Sequence, residues 1–151
     1  MVKIENDEDY LPEGEEVVIS CLKSNSHPKQ GVMIYKIAYK DKSLVYATDT
    51  EGYVGANKKL VLFARDTDLL IHDAQYTSEE YLNAYFSKQG YGHSTFDMAL
   101  ETFSQAKAKS LAFFHFDPNY NDEFLLEIEN HYTENCKNCF IPKEGQEIVL
   151  R

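Results

Sequence analysis

The sequence predicts an α/β (α+β) fold, a mixed sheet with helices on one face. Three observations carry that expectation. An antiparallel hairpin is legible early in the chain, and strands and helices alternate after it. The composition, 43% hydrophobic with eleven Tyr and nine Phe in 151 residues, suffices for one buried core. No Trp is present, so the aromatic part of that core falls to Phe and Tyr.

The elements follow in order. Residues 1–16 are acid-rich and read as an exposed lead-in, and residues 17–151 as one folded unit. A short strand is expected over 17–20, then a polar loop from Lys23 to Gly31 that carries His27 and Pro28. Residues 32–39 are rich in β-formers, Asp41-Lys42 turns the chain, and 43–48 return as the second hairpin strand. Residues 60–64 are apolar but too few for periodicity to separate helix from strand. Leu69, Leu70, Ile71 and His72, flanked by Asp68 and Asp73, read as a short buried strand.

Thr77-Ser78-Glu79-Glu80 is a capping box, in which hydroxyl and carboxylate satisfy each other's backbone amides. It predicts a helix to about Ser87, ending before Gly90. The next helix starts at Ser94 or Thr95 and runs toward Ala108, with Phe96, Ala99, Leu100, Phe103 and Ala106 on one face. Residues 111–116 form a strand closed by Asp117-Pro118. A helix over 121–131 packs Phe124, Leu125 and Ile128, and a last strand spans 147–150.

Charge and cysteine usage narrow the function. The net charge is −10, from 25 acids against 15 bases. Nucleic-acid binders draw affinity from Lys and Arg against phosphates, so a polynucleotide is disfavoured as the main partner. A short acidic substrate held through metal ions is not. No apolar run approaches the 18 or so residues that a membrane-spanning helix needs. The acidic N-terminus has no signal-peptide pattern, and the expected setting is the cytoplasm. Cys21, Cys136 and Cys139 then read as reduced thiols; the lone Cys136-x-x-Cys139 pair, with His131 nearby, leaves metal binding as a minor alternative. Asp66, Asp68 and Asp73 read as solvated turn carboxylates beside a short strand.

The five histidines are His27, His72, His93, His115 and His131, and any one alone is most simply a surface or structural residue. Three of them stand at expected strand ends or loop junctions. His27 precedes the hairpin, His93 sits at the mouth of a helix, and His115 ends a buried strand. Asp49 closes the return strand of the hairpin, at the kind of sheet edge where open α/β folds place functional groups. Imidazoles and a carboxylate at strand ends suit zinc or manganese.

Four ordered segments carry a more specific signal: Tyr46-Ala47-Thr48-Asp49-Thr50-Glu51, Leu69-Leu70-Ile71-His72-Asp73-Ala74-Gln75-Tyr76, Gly92-His93-Ser94-Thr95 and Phe113-Phe114-His115-Phe116-Asp117-Pro118. Together they resemble the C-terminal half of a metallo-β-lactamase-fold hydrolase, on the branch of ribonuclease Z and phosphodiesterase-like members. The resemblance spans roughly residues 17–125. It implies half of an αββα sandwich with two divalent metal ions, zinc first and manganese second, at one edge. Asp49 matches the aspartate that bridges both ions, His27 the middle histidine on the first, and His115 the last histidine on the second. His93 matches a non-ligand histidine that stabilises the transition state or donates a proton, and His72 with Asp73 a structural motif. The implied substrate is a small phosphodiester or related ester.

One departure shapes every expectation. The family's His-x-His-x-Asp-His signature does not occur in these 151 residues. The first ion would keep only His27 and Asp49, the second only Asp49 and His115, against the three protein ligands of a catalytic zinc. The chain is expected to be inactive alone, under one of three explanations. It is a piece of a longer enzyme, a split or degenerate relative that pairs with another chain, or a module that recruits other ligands. A half-fold would expose a sheet face, so a partner chain or self-association across a twofold axis is expected. The rival reading is a non-catalytic assembly module. A tRNA-processing role fits the acidic charge poorly.

Overall fold

The computed structural model of the chain describes residues 2–4 and 16–151. Most of the expected acidic lead-in therefore lies outside the described residues. Its Val2–Ile4 form β1, paired in parallel with β8, Ile148–Leu150.

The remaining strands make one six-stranded sheet in the order β2-β3-β4-β5-β6-β7. β2 (Val18–Ser24), β3 (Val32–Tyr39) and β4 (Lys42–Ala47) form an antiparallel meander, with Leu22 opposite Ile34 and Ile37 opposite Leu44. β5 (Leu69–Asp73), β6 (Leu111–Phe114) and β7 (Cys139–Phe140) then add in parallel. β2 extends well past the expected four residues because the whole segment pairs with β3. β7 was not expected; two residues carry no periodicity, and only pairing with Leu111 and Ala112 defines them.

Helices cover one face, as the sequence predicts. The ambiguous 60–64 segment is helical: α1 (Lys58–Phe63) is capped by Asn57, whose side chain accepts from Lys59 and Leu60 N–H. α3 (Phe96–Ala106) starts at Thr95, whose hydroxyl accepts from Met98 N–H, and α4 (Asp122–Thr133) starts at Asn121. Phe96, Ala99 and Ala106 are buried against Ile34, Val45, Leu70, Leu111 and Phe113, with Leu100, Phe103, Leu125 and Ile128 packed around them. Across the sheet, a smaller cluster of Leu44, Leu69, Ala112 and Leu150 lies beneath β8.

Two expectations are corrected. The helix expected over 77–87 is a single turn, α2 (Ser78–Tyr81). The capping box is present, but Asn83 then takes the N–H groups of Tyr85 and Phe86 on its side chain and turns the chain away. Cys136 and Cys139 are joined as a disulfide and are not reduced thiols. After α4, Cys136 N–H donates to Tyr132 O and Cys139 N–H to Cys136 O, both at 3.0 Å, and this turn brings the two Cα atoms to 5.3 Å. That bond also consumes the thiols that a metal would have used; Cys21 is free and exposed. No helix among the described residues is long and apolar enough to cross a membrane.

Candidate metal centre

Strand direction assembles the site. β2 is antiparallel to β3 and β3 to β4, so β2 runs in the same sense as β4, β5 and β6. The carboxyl ends of all four meet at one sheet edge. Asp49 follows β4, Asp73 ends β5, His115 follows β6, and His27 follows β2. His93 arrives from the loop ahead of the Thr95 cap. All four residues proposed from the sequence, His27, Asp49, His93 and His115, therefore come together.

Their spacing is that of a ligand cluster. His27, Asp49 and His93 each offer an atom such that the three lie within 4.8 Å of one another, and Asp73, His93 and His115 do the same. Asp49 Oδ1 is 3.3 Å from His115 Nε2. The rings of His93 and His115 stack at 4.9 Å, and His27 meets His93 edge-on at 5.5 Å. Asp49 (φ 53°) and His115 (φ 63°) both hold left-handed backbone, a conformation that costs about 1–3 kcal/mol and persists where the surroundings impose it.

Glycine permits the closest approach. At Gly92 (φ +94°), a Cβ would stand 2.4 Å from Pro28 Cδ and 2.6 Å from His27 Cδ2. Only a residue without a side chain lets the His93 loop sit against the His27 loop.

Hydroxyls and buried carboxylates lock these loops together. Ser24, Ser26 and Thr50 form a chain of hydroxyls with both links at 2.6 Å, tying the His27 loop to the residue after Asp49. Ser94 Oγ donates to Thr50 O at 2.5 Å and accepts from Gly52 N–H. Glu51, buried, accepts from Tyr81 Oη–H at 2.5 Å and from the N–H groups of Gly90 and Gly92. Burial, then this bond to Glu51, raises the Tyr81 phenol well above its ordinary value.

Asp73 is the main correction to the sequence reading. It is not a solvated turn residue but fully buried, with Oδ2 2.8 Å from His93 Nδ1 and Oδ1 accepting from Ser94 N–H. Burial works to lower the His93 pKa, but the bond to Asp73 and the nearby carboxylates of Asp73, Asp49 and Glu51 outweigh it and raise the value. Asp68 is also buried, ion-paired to Lys109 at 2.7 Å and accepting from Ser43 N–H, while Asp66 is exposed as expected. His72 is fully buried, its Nδ1–H donating to Asp73 O at 2.8 Å, and burial lowers its pKa. His131 lies in the last turn of α4, against Tyr132.

Glu51 was missed, and so was the pairing of Asp73 with His93, although the resemblance had put Asp73 in a structural motif. Asp73 stands at the end of an apolar strand just as Asp49 does, and that parallel was the available signal. Glu51 had none, because its partners lie 30 to 41 residues away.

The donor chemistry suits divalent cations. Two imidazoles and a carboxylate make up the first group, and the second joins a carboxylate to two imidazoles. His115 Nδ1 is buried with no hydrogen-bond partner among the described residues, 4.0 Å from Asp73 Oδ2.

Residues 2–116 match a family described as the beta-lactamase superfamily domain. The ribonuclease Z of Thermococcus sibiricus is 36% identical over 122 residues, 81% of this chain and 32% of that protein. Among solved structures, the metallo-beta-lactamase fold protein YhfI from Bacillus subtilis superposes with a TM-score of 0.67 at 18% identity, covering 91% of this chain and 53% of its own. The short form of human tRNase Z superposes with a TM-score of 0.64 at 20% identity, covering 89% and 42%. The chain spans about a third of the length of the curated relatives it matches.

Proposed function

The chain belongs to the beta-lactamase superfamily and carries part of the metallo-β-lactamase fold, and from this premise we propose that it contributes half of the active site of a metal-dependent phosphodiester hydrolase. The observation that supports the reading most is the convergence of His27, Asp49, His93 and His115 on one sheet edge. In this reading His27, Asp49 and His115 would hold two divalent ions, with zinc the first choice and Asp49 serving both. Such ions, when bound, polarise a phosphoryl oxygen and make a hydroxide nucleophile accessible near neutral pH. His93, oriented through Nδ1 by Asp73, donates a proton to the leaving oxygen.

The acidic charge of this chain does not exclude RNA as a substrate. A relative 36% identical over 122 residues carries the name ribonuclease Z, and a net charge of −10 on one part of a fold does not describe the whole substrate surface. RNA thus joins small phosphodiesters as a proposed substrate. The proposal retains a cytoplasmic setting, a missing half or partner chain, and self-association as the alternative route to a closed sandwich.

The test is hydrolysis of bis(p-nitrophenyl) phosphate and of a 3′-extended RNA by the chain with zinc or manganese, alone and with a partner co-purified from its native source. Activity that falls by about 10²-fold or more in His93→Ala supports the proton-donor role. Equal turnover in His93→Ala, Asp49→Ala and His115→Ala would overturn the reading. The exposed aromatic residues on the far sheet face favour a second reading, a non-catalytic assembly module; a metal-free, inactive dimer would establish it.

A further inference from the structure

The loop between α2 and α3 presents side chains that neither the core nor the candidate metal centre uses. We propose that its Lys88 and Tyr91, together with Tyr76, form a binding subsite for one nucleotide of single-stranded RNA beside the scissile phosphodiester. Tyr85 and Phe86 then serve as stacking platforms for the bases beyond it. The inference rests on the proposed hydrolysis for the place of the scissile bond, and it narrows the substrate to one with unpaired bases.

Position is the first argument. The Tyr76 ring stands edge-on to His93 at 6.2 Å, and Lys88 Nζ lies 5.5 Å from the ring centres of both Tyr76 and Tyr91. Both distances fall inside the reach of about 6 Å over which a ring face attracts an ammonium. A single tyrosine ring thus separates a cation from the histidine that faces the leaving oxygen. Among the described residues, no carboxylate pairs with Lys88. In a chain of 25 acids against 15 bases, an ammonium without a counter-ion beside the site is where a phosphate is drawn.

Exposure is the second. Tyr85 and Phe86 are 90% and 79% exposed, and Tyr91 58%. Such ring faces accept an unstacked base of any sequence, whereas a duplex keeps its base faces stacked away.

The third is that the loop is already held in place. Asn83 Oδ1 accepts from the N–H groups of Tyr85 (2.9 Å) and Phe86 (3.0 Å). Lys88 N–H donates to Tyr81 O at 3.1 Å, Tyr91 N–H to Lys88 O at 3.2 Å, and Gly90 N–H to Glu51 Oε1 at 2.7 Å. Rings on an ordered loop lose little freedom on binding. The unpaired ammonium decides the occupant. An apolar protein surface would have to strip its water without compensation, but a nucleotide neutralises it with phosphate while the base covers the rings.

The experiment is fluorescence anisotropy of a fluorescein-labelled cytidine hexanucleotide and of an abasic ribose-phosphate hexamer, each titrated with the full chain in EDTA so that no metal contributes. The intact hexamer is expected to bind at least about fivefold tighter than the abasic one. Tyr91→Ala loses at least about fivefold for the intact hexamer and little for the abasic one, while Tyr91→Phe stays within about twofold of the parent. Lys88→Ala weakens both probes alike and makes the log–log salt dependence shallower by about 0.7, and Lys88→Arg restores it. Circular dichroism of each variant confirms folding. If an alanine variant fails to fold, NMR of the parent decides: the hexamer must shift the ring resonances of Tyr76 and Tyr91.

Equal affinity for the two probes, no loss in a folded Tyr91→Ala, or an unchanged salt slope in Lys88→Ala would overturn the proposal. So would a dimer in light scattering that Tyr85→Ser with Phe86→Ser returns to monomer, since the loop would then serve self-association. Base-dependent binding through Tyr91 without hydrolysis by the zinc-supplied chain and partner leaves the proposal standing while the proposed activity fails. RNA hydrolysis whose KM is unmoved by Tyr91→Ala and Lys88→Ala does the reverse.

Discussion

The two faces of the sheet differ sharply although the same strands build both. On the helical face, Ile34, Val45, Leu70, Leu111 and Phe113 are almost wholly buried beneath α1, α3 and α4. On the other, β8 covers only Leu44, Leu69 and Ala112 and their neighbours, while Tyr35, Tyr46 and Phe114 stay 42%, 38% and 38% exposed. The alternation of side chains along a strand makes neighbours of opposite fates, as at Phe113 and Phe114. Stability is concentrated on the first face. The second is an apolar surface that runs up to the candidate site, since Tyr46 precedes Asp49 by three residues and Phe114 adjoins His115.

The largest expected effect tests this contrast directly. Phe113→Ala removes a buried ring that packs on Phe96 and Tyr132, and should cost about 3–5 kcal/mol in urea unfolding. A cost below about 1 kcal/mol would mean that the helical face is not the core.

Next is Gly92→Ala. It forces a Cβ into the His27 loop at a left-handed φ, and should cost about 1–3 kcal/mol and separate the His27 and His93 rings. Unchanged stability and unchanged Co²⁺ affinity would show that the loops are not held as described.

Acidification sharpens the comparison between core and site. His72 is buried and neutral with a lowered pKa, so the unfolded chain binds its proton first. Stability from this residue is complete above about pH 6.5 and declines as pH falls below it, by at most about 1.4 kcal/mol per pH unit. His93 has a raised pKa and acts in the opposite window: its contribution is complete below about pH 6.5 and fades as pH rises through its folded value. Urea midpoints of the metal-free chain across that range, compared with His72→Gln and His93→Gln, should therefore change with opposite slopes. Parallel slopes would mean that one of the two environments is misassigned.

The smallest effect on the folded monomer belongs to the open face. Tyr46→Ser with Phe114→Ser should alter unfolding free energy by less than about 1 kcal/mol, yet shift an associated chain toward monomer in light scattering. A large loss of stability without change in association would reverse the roles of the two faces.

Local signals explain what was legible beforehand. The hairpin from 32 to 48 showed in its β-formers, and the starts of two helices showed near Thr95 and Asn121, because these features involve residues close in sequence. The same local reasoning overextended α2, where the capping box was correct but the Asn83 turn interrupted the helix. It also left Cys136 and Cys139 as thiols, since bond formation depends on how the turn after α4 places them.

By itself, the sequence determined the fold class and put Asp49, His93 and His115 at element ends, because alternation, caps and the four ordered motifs are written in short segments. Only the tertiary structure decided that Asp73 is a buried partner of His93 and that Glu51 clamps the loop ahead of it. It alone also brought His27 against His93. The physical reason is the shared direction of β2, β4, β5 and β6, which gathers residues 27, 49, 73 and 115 at one edge from positions too far apart along the chain to leave a local pattern.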